Sequence, residues 1–240
     1  MNDISNHGRL EVVMPSYKKA DVIVEAIERA CRALVGSFES VTFIVVVDGL
    51  VDETVQQITE SKLENVEILV HPVNLGKGAS LKTGVNVTSA PLVAFLDADL
   101  DIDPEAIVSC AQIFALEPSC SVVIGSKRLG DSWQNYPAYR RILSRTYSLL
   151  SRIFVGNRLP DTQTGLKLFR GEIIRELANS VKTNGFSFDL ELMALAQIRG
   201  IRISEVPVTL TYDSYSTLDF RSAARAVTDL MAISRILRSK

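Results

Sequence analysis

The sequence predicts a single α/β domain with a mostly parallel sheet and helices on both faces, and three observations carry that reading. Apolar, β-branched runs alternate with segments of helical spacing from Leu10 to Ile124, the rhythm of repeated strand-helix units. The run Val41 to Val47 is continuous rather than alternating, as in a strand covered on both sides. The chain has 240 residues, 47% hydrophobic and 22% charged, with no Pro/Gly/Ser-rich linker to divide it. One core serves the whole chain.

Met1 to Arg9 is a polar leader, and the domain proper is read as residues 10–218. Leu10 to Met14 forms the first strand, stopped by Pro15, and Ala20 to Leu34 follows as a helix through Val24, Ile27, Cys31 and Leu34. Val41 to Val47 is the second strand and Asp52 to Ile58 a short helix. Strand Val66 to Val70, helix Ala79 to Val87, strand Leu92 to Leu96, helix Pro104 to Leu116 and strand Ser121 to Ile124 continue the pattern. Beyond Gly125 the half is less regular. A polar stretch with Trp133, Tyr136, Pro137 and Tyr139 leads to a helix from Arg140 to Val155. A strand at Leu166 to Phe169, a helix at Phe188 to Ile198, a strand at Ile201 to Val208 and a terminal amphipathic helix over residues 219–240 complete the chain.

Composition narrows the chemistry. With 26 basic and 28 acidic residues the net charge is −2, too balanced for a wide phosphate-neutralising surface, so nucleic acid is not an expected partner. Cys31, Cys110 and Cys120 are odd in number and lack metal spacing, which fits a reducing cytoplasm. No run is apolar enough to span a membrane or serve as a signal peptide. His7 and His71 are the only histidines and no G-x-S-x-G elbow exists, so triad hydrolases drop out.

In open α/β sheets ligands bind beyond the carboxyl ends of the strands. Three such ends carry polar residues: Pro15-Ser16-Tyr17, Asp48-Gly49 with Asp52, and Asp97-Ala98-Asp99-Leu100-Asp101. If extended geometry persists, Asp97, Asp99 and Asp101 project to one side and offer hard oxygen ligands to Mg²⁺ or Mn²⁺. Three carboxylates exceed what capping the next helix needs, since Asp103 alone could do that. Asn74 to Gly78 fails both the G-x-x-x-x-G-K-[ST] pattern and the three-glycine dinucleotide fingerprint.

Val12 to Tyr17, Val46-Val47-Asp48-Gly49 with Asp52, Asn74-Leu75-Gly76-Lys77-Gly78 and Asp97-Ala98-Asp99 together resemble the family 2 nucleotide-sugar glycosyltransferases of GT-A fold. Gly125-Ser126-Lys127-Arg128, Arg141 with Ser144-Arg145, Asp161 to Phe169 and Phe188 to Leu192 look like the dolichyl-phosphate glucose and mannose synthase branch. The resemblance implies that Pro15, Ser16 and Tyr17 line the nucleotide pocket, that Asp48 accepts a hydrogen bond from the base, and that Asp97 and Asp99 face ribose and metal, with Asp101 a third metal contact. Lys77 lies beside the donor diphosphate on the same reading. The chain departs from the family pattern at Lys18-Lys19, where Asn-Glu is usual, at Val47, where an acid is usual, and at Leu50, where Ser is usual.

Lys127, Arg128 and Arg141 stand in a local surplus of cations suited to an acceptor phosphate. Arg152 and Arg158 read as a solvated helix face. Asp189 and Glu191 read either as first-turn helix carboxylates or, for Asp189, as an acceptor-side catalytic group. The expected activity is inverting, metal-dependent hexose transfer from a UDP-sugar or GDP-mannose to a polyprenyl or dolichyl phosphate at the cytoplasmic face of a membrane. Peripheral contact by the terminal helix would serve it, although core packing explains that stripe equally. The alternatives are a soluble family 2 transferase with a sugar or small hydroxyl acceptor, and a non-catalytic nucleotide-sugar binder. A phosphohydrolase built on Asp97 fails because Asp101 stands where D-x-D-x-[ST] needs a hydroxyl.

Overall fold

A computed structural model describes residues 7–99, 101–129, 146, 148–153, 155–156, 164–185, 187–209 and 230–236. The strands are β1 (Arg9–Ser16), β2 (Ser40–Asp48), β3 (Val66–His71), β4 (Leu92–Phe95), β5 (Cys120–Ser126), β6 (Lys167–Arg170) and β7 (Arg202–Pro207). The helices between them are α1 (Ile23–Leu34), α2 (Thr54–Ser61), α3 (Lys77–Val87), α4 (Ala106–Leu116), α5 (Gly171–Ser180) and α6 (Phe188–Ile198). Residues 148–153 and 230–236 are helical as well.

The seven strands form one sheet in the order β3-β2-β1-β4-β6-β5-β7. All neighbours run parallel except β6, which is antiparallel to both β4 and β5. The consequence for function is direct. Because β6 is reversed, its first residue, Lys167, pairs with Phe95 and Ile124 at the rim where the parallel strands end. Sequence reading finds β6 but neither its reversal nor α5, which follows it directly and buries Ile174, Leu177 and Ala178.

Alternation along the strands splits the core. Val12, Met14, Phe43, Val45 and Val47 face α1, α2 and α4, while Val13, Ile44, Val46, Phe95 and Phe169 face α3, α5 and α6. Leu190 of α6 forms a smaller cluster with Leu230 and Ile233, against which Leu150 and Val155 pack. The described part of the terminal helix therefore turns a face inward, with Met231 left half exposed. Cys31, Cys110 and Cys120 are free thiols, and burial within α4 pushes Cys110 up to about 12. Among the described residues no helix is long and apolar enough to cross a membrane.

Candidate active site

The rim above β2, β1, β4, β6 and β5 gathers the expected residues. Ser16 ends β1, buried, with a hydroxyl that finds no hydrogen-bond partner, and Tyr17 beyond it is half exposed. Lys18 lies over the Tyr17 ring, 5.4 Å from its centroid. Asp97 and Asp99 follow β4, and Lys127 and Arg128 occupy the turn after β5.

A chain of alternating charges organises this rim. The Lys77 ammonium, at the first turn of α3, bonds Asp97 Oδ1 at 2.7 Å and Oδ2 at 2.9 Å. It also stands 3.8 Å from Asp189 Oδ2. The other Asp189 oxygen accepts a 2.6 Å hydrogen bond from Lys167 Nζ, which donates a second, also 2.6 Å, to the Thr164 carbonyl. Burial pulls the Lys77 ammonium toward neutrality, but Asp97 and Asp189 outweigh it and raise its proton affinity above the ordinary lysine value. Burial raises Asp97 in turn, and Lys77, Lys167 and Lys127 more than reverse that, holding its carboxyl below the usual range. Gly165 presses on the Asp97 carboxylate so closely that a β-carbon there would strike it.

Asp99 behaves differently. Burial, then the charges of Asp97 and Asp101, push its carboxyl up, and Lys19 at 3.7 Å only partly opposes them. Among the described residues no three His, Cys, Asp or Glu side chains converge closely enough to cage a metal. The three aspartates are thus not closed into a cage, although Asp97 and Asp101 lie near enough to Asp99 for their charges to act on it. Strand pairing ends at Phe95 and residues 98–99 turn, yet the faces still alternate: Leu96, Ala98 and Ile102 go into the core while Asp99 and Asp101 are exposed. The only partly compensated negative charge at Asp99 would fit a divalent cation held by one or two carboxylates.

Asp48 is held by contacts within the chain. Its carboxylate is buried and accepts hydrogen bonds from Leu75 N–H and Gly76 N–H, each 2.8 Å, with His71 Nδ1 at 2.8 Å. Both oxygens take hydrogen bonds from the chain's own loop. His71 Nε2 lies 2.9 Å from Thr83 Oγ1, so strand, loop and α3 are tied together. Gly76 and Gly78 answer a packing demand: a β-carbon on either would crowd the Asn184 carbonyl, which accepts the Ala79 N–H at 3.0 Å. Asp52 bonds Ala20 N–H, Thr54 N–H and the Thr54 hydroxyl, joining two rim loops. Glu191, fully buried, accepts from Lys182 N–H and Thr183 N–H and is structural.

Sequence reasoning missed Lys167 and Lys19 as members of this site. The signal for Lys167 was a lysine inside the apolar run Leu166 to Phe169. Arg141, Arg145, Arg158 and Asp161 to Gln163 lie outside the described residues.

A rim of this kind, with acids after β4, a lysine at a helix start and cations after β5, suits sugar transfer from an activated phosphate. Comparison with known proteins agrees. Residues 11–178 match the model of "Glycosyl transferase family 2". The chain is 27% identical over 203 residues to glycosyltransferase AglD of Haloferax volcanii, covering 83% of this chain and 32% of that relative, so it spans about a third of that protein's length. It is 27% identical over 242 residues to a dolichyl-phosphate beta-glucosyltransferase of Trichomonas vaginalis, covering 95% of this chain and 71% of the relative. In fold it is similar to Mycobacterium tuberculosis glucosyl-3-phosphoglycerate synthase crystallised with Mn²⁺, UDP and glucosyl-3-phosphoglycerate, at a TM-score of 0.69 and 18% identity, over 94% of this chain and 78% of that one. With the GT-A architecture and the family match together, the chain belongs to glycosyl transferase family 2 and is a glycosyltransferase.

Proposed function

We propose that this glycosyltransferase moves a hexose from a nucleotide sugar, UDP-glucose-like or GDP-mannose, onto a polyprenyl or dolichyl phosphate, with inversion at the anomeric carbon. The observation that carries the acceptor class is the state of Asp189. A hydroxyl acceptor needs a general base within its reach, yet Asp189 is buried, hydrogen-bonded to Lys167 through one oxygen and set 3.8 Å from the Lys77 ammonium with the other. A phosphate acceptor is already ionised near neutral pH and needs no such base. The dolichyl-phosphate relative supports the same acceptor class.

On this reading Ser16 and Tyr17 flank the nucleotide, Lys77 faces the donor diphosphate, and Asp97 and Asp99 would hold Mg²⁺ or Mn²⁺. The metal, when bound, supplies positive charge against the departing diphosphate. Lys127, Arg128 and Arg141 hold the acceptor phosphate, whose oxygen forms the new bond to the anomeric carbon as the nucleoside diphosphate leaves with the old bonding pair. Contact with a lipid surface would follow from such an acceptor.

The test is transfer of labelled hexose from UDP-glucose or GDP-mannose to polyprenyl phosphate and, in parallel, to free sugars, with Mn²⁺ and with EDTA. Metal-dependent labelling of the lipid phosphate alone is the expected result. Labelling of free sugars alone would assign the chain to the soluble-acceptor transferases, and nucleotide-sugar binding without turnover would make it a binding protein.

A further inference from the structure

Lys167 lies 1% exposed on the sheet face that also carries Phe95 and Phe169, in a layer closed by Phe188. A bare ammonium in such a layer is costly, and the group that compensates it is Asp189, 2.6 Å away. The pair is only the inner half of the charge chain. Asp189 also faces Lys77 at 3.8 Å, and Lys77 is shared between this inner acid and Asp97 at the rim, which it holds at 2.7 Å. A cation shared by two acids sits where their pulls balance. Lys167 lowers the inner pull by neutralising Asp189, so Lys77 rests on the rim side.

We infer that Lys167 is a positioning residue that sets the location of the Lys77 ammonium through Asp189. Without it Asp189 would turn its whole charge on Lys77 and draw the ammonium inward, away from Asp97 and from an incoming diphosphate. Its second bond reinforces the arrangement, because the Thr164 carbonyl it fixes precedes Gly165, which lies against Asp97. The inference rests on the proposed function only in taking the donor to be a nucleoside-diphosphate sugar.

A double-mutant cycle over Lys167→Met and Lys77→Met tests it, read by calorimetric titration of UDP and GDP with Mn²⁺ and by thermal unfolding of each variant. The two lysines do not touch, so a purely structural Lys167 would give losses in affinity that multiply. Action through Lys77 gives a different pattern. Lys167→Met should weaken binding of the preferred nucleotide about tenfold, while in the Lys77→Met background the same change should lower the melting temperature without weakening binding further. Should Lys167→Met not fold, Lys167→Gln, which keeps a donor for Thr164 but no charge, takes its place. Multiplying losses, or wild-type affinity in the Lys167 variant, would overturn this assignment and leave the donor reading standing. Wild-type protein that binds neither UDP nor GDP would remove the donor reading and this assignment with it.

Discussion

Asp48 illustrates how one buried side chain can carry both a structural and an apparent ligand-binding signature. It is 3% exposed and accepts from two adjacent backbone amides of the loop that leads into Lys77. Removing the carboxylate strands those donors, at about 1–3 kcal/mol for each left unsatisfied. Asp48→Ala should therefore lower stability in urea by an amount in that range or above it, and weaken UDP and GDP binding as a consequence of the displaced Lys77. A variant with unchanged denaturation midpoint and selectively lost nucleotide affinity would return Asp48 to the base-contact role that the sequence suggests. That role is invisible to refutation from sequence, because an acid at a strand end looks the same whether it faces a ligand or a neighbouring loop. His71 is similar: at the end of β3 it reads as an isolated histidine, and only the fold brings its ring to Asp48 and Thr83.

At the scale of elements, α3 is the part that most constrains the site, since it carries Lys77 at its start and packs across β1 and β2. Gly84 lets it do so. A β-carbon there would run into Val13 Cγ1 and lie 3.3 Å from Val46 Cγ2. Helix propensity favours Ala over Gly by about 1 kcal/mol, whereas overfilling a packed interface costs about 1–3 kcal/mol. Packing should win: Gly84→Ala is expected to destabilise the protein in a chemical-denaturation midpoint, against the propensity trend. A stabilised variant would show that α3 can lift off the sheet. The strand-helix rhythm through β5 was legible because period-two and period-3.6 patterns are local. What was not legible is non-local. The reversal of β6 depends on which strands it joins, and α5 starts directly after it with only Gly171 to mark the change. In sequence nothing sets Lys167 apart as a site residue beyond its place in an apolar run, because its counter-ion, Asp189, lies 22 positions away.

For the molecule as a whole, the sheet order turns scattered residues into two sides of one rim, the groups proposed for the donor over β1 and β4 and the cations proposed for the acceptor over β5, with the Asp189–Lys167 pair between them. That arrangement makes the acceptor question answerable by comparing variants on the two sides. If Lys127 and Arg128 clamp a phosphate, Arg128→Ala removes a charge-assisted contact worth about 1.5–3 kcal/mol, a loss of roughly 10- to 150-fold in transfer to polyprenyl phosphate. Donor affinity, measured as UDP-glucose or GDP-mannose binding with Mn²⁺, should stay near the wild-type value because the change lies across the rim. Asp189→Asn works through a different route. It strands the Lys167 ammonium without its counter-ion and so disturbs the Thr164–Gly165 segment that lies against Asp97, so it should impair donor binding as well as turnover, and impair them for every acceptor alike. A general base would behave otherwise: Asp189→Asn would leave donor binding intact, abolish transfer to a hydroxyl acceptor, and flatten the acid limb of the rate profile. Assayed side by side, an Arg128 effect confined to the phosphate acceptor together with an Asp189 effect on donor binding supports transfer to lipid phosphate. A mild Arg128 variant and an Asp189 variant that binds donor normally yet fails only with hydroxyl acceptors would replace it with the soluble-acceptor reaction.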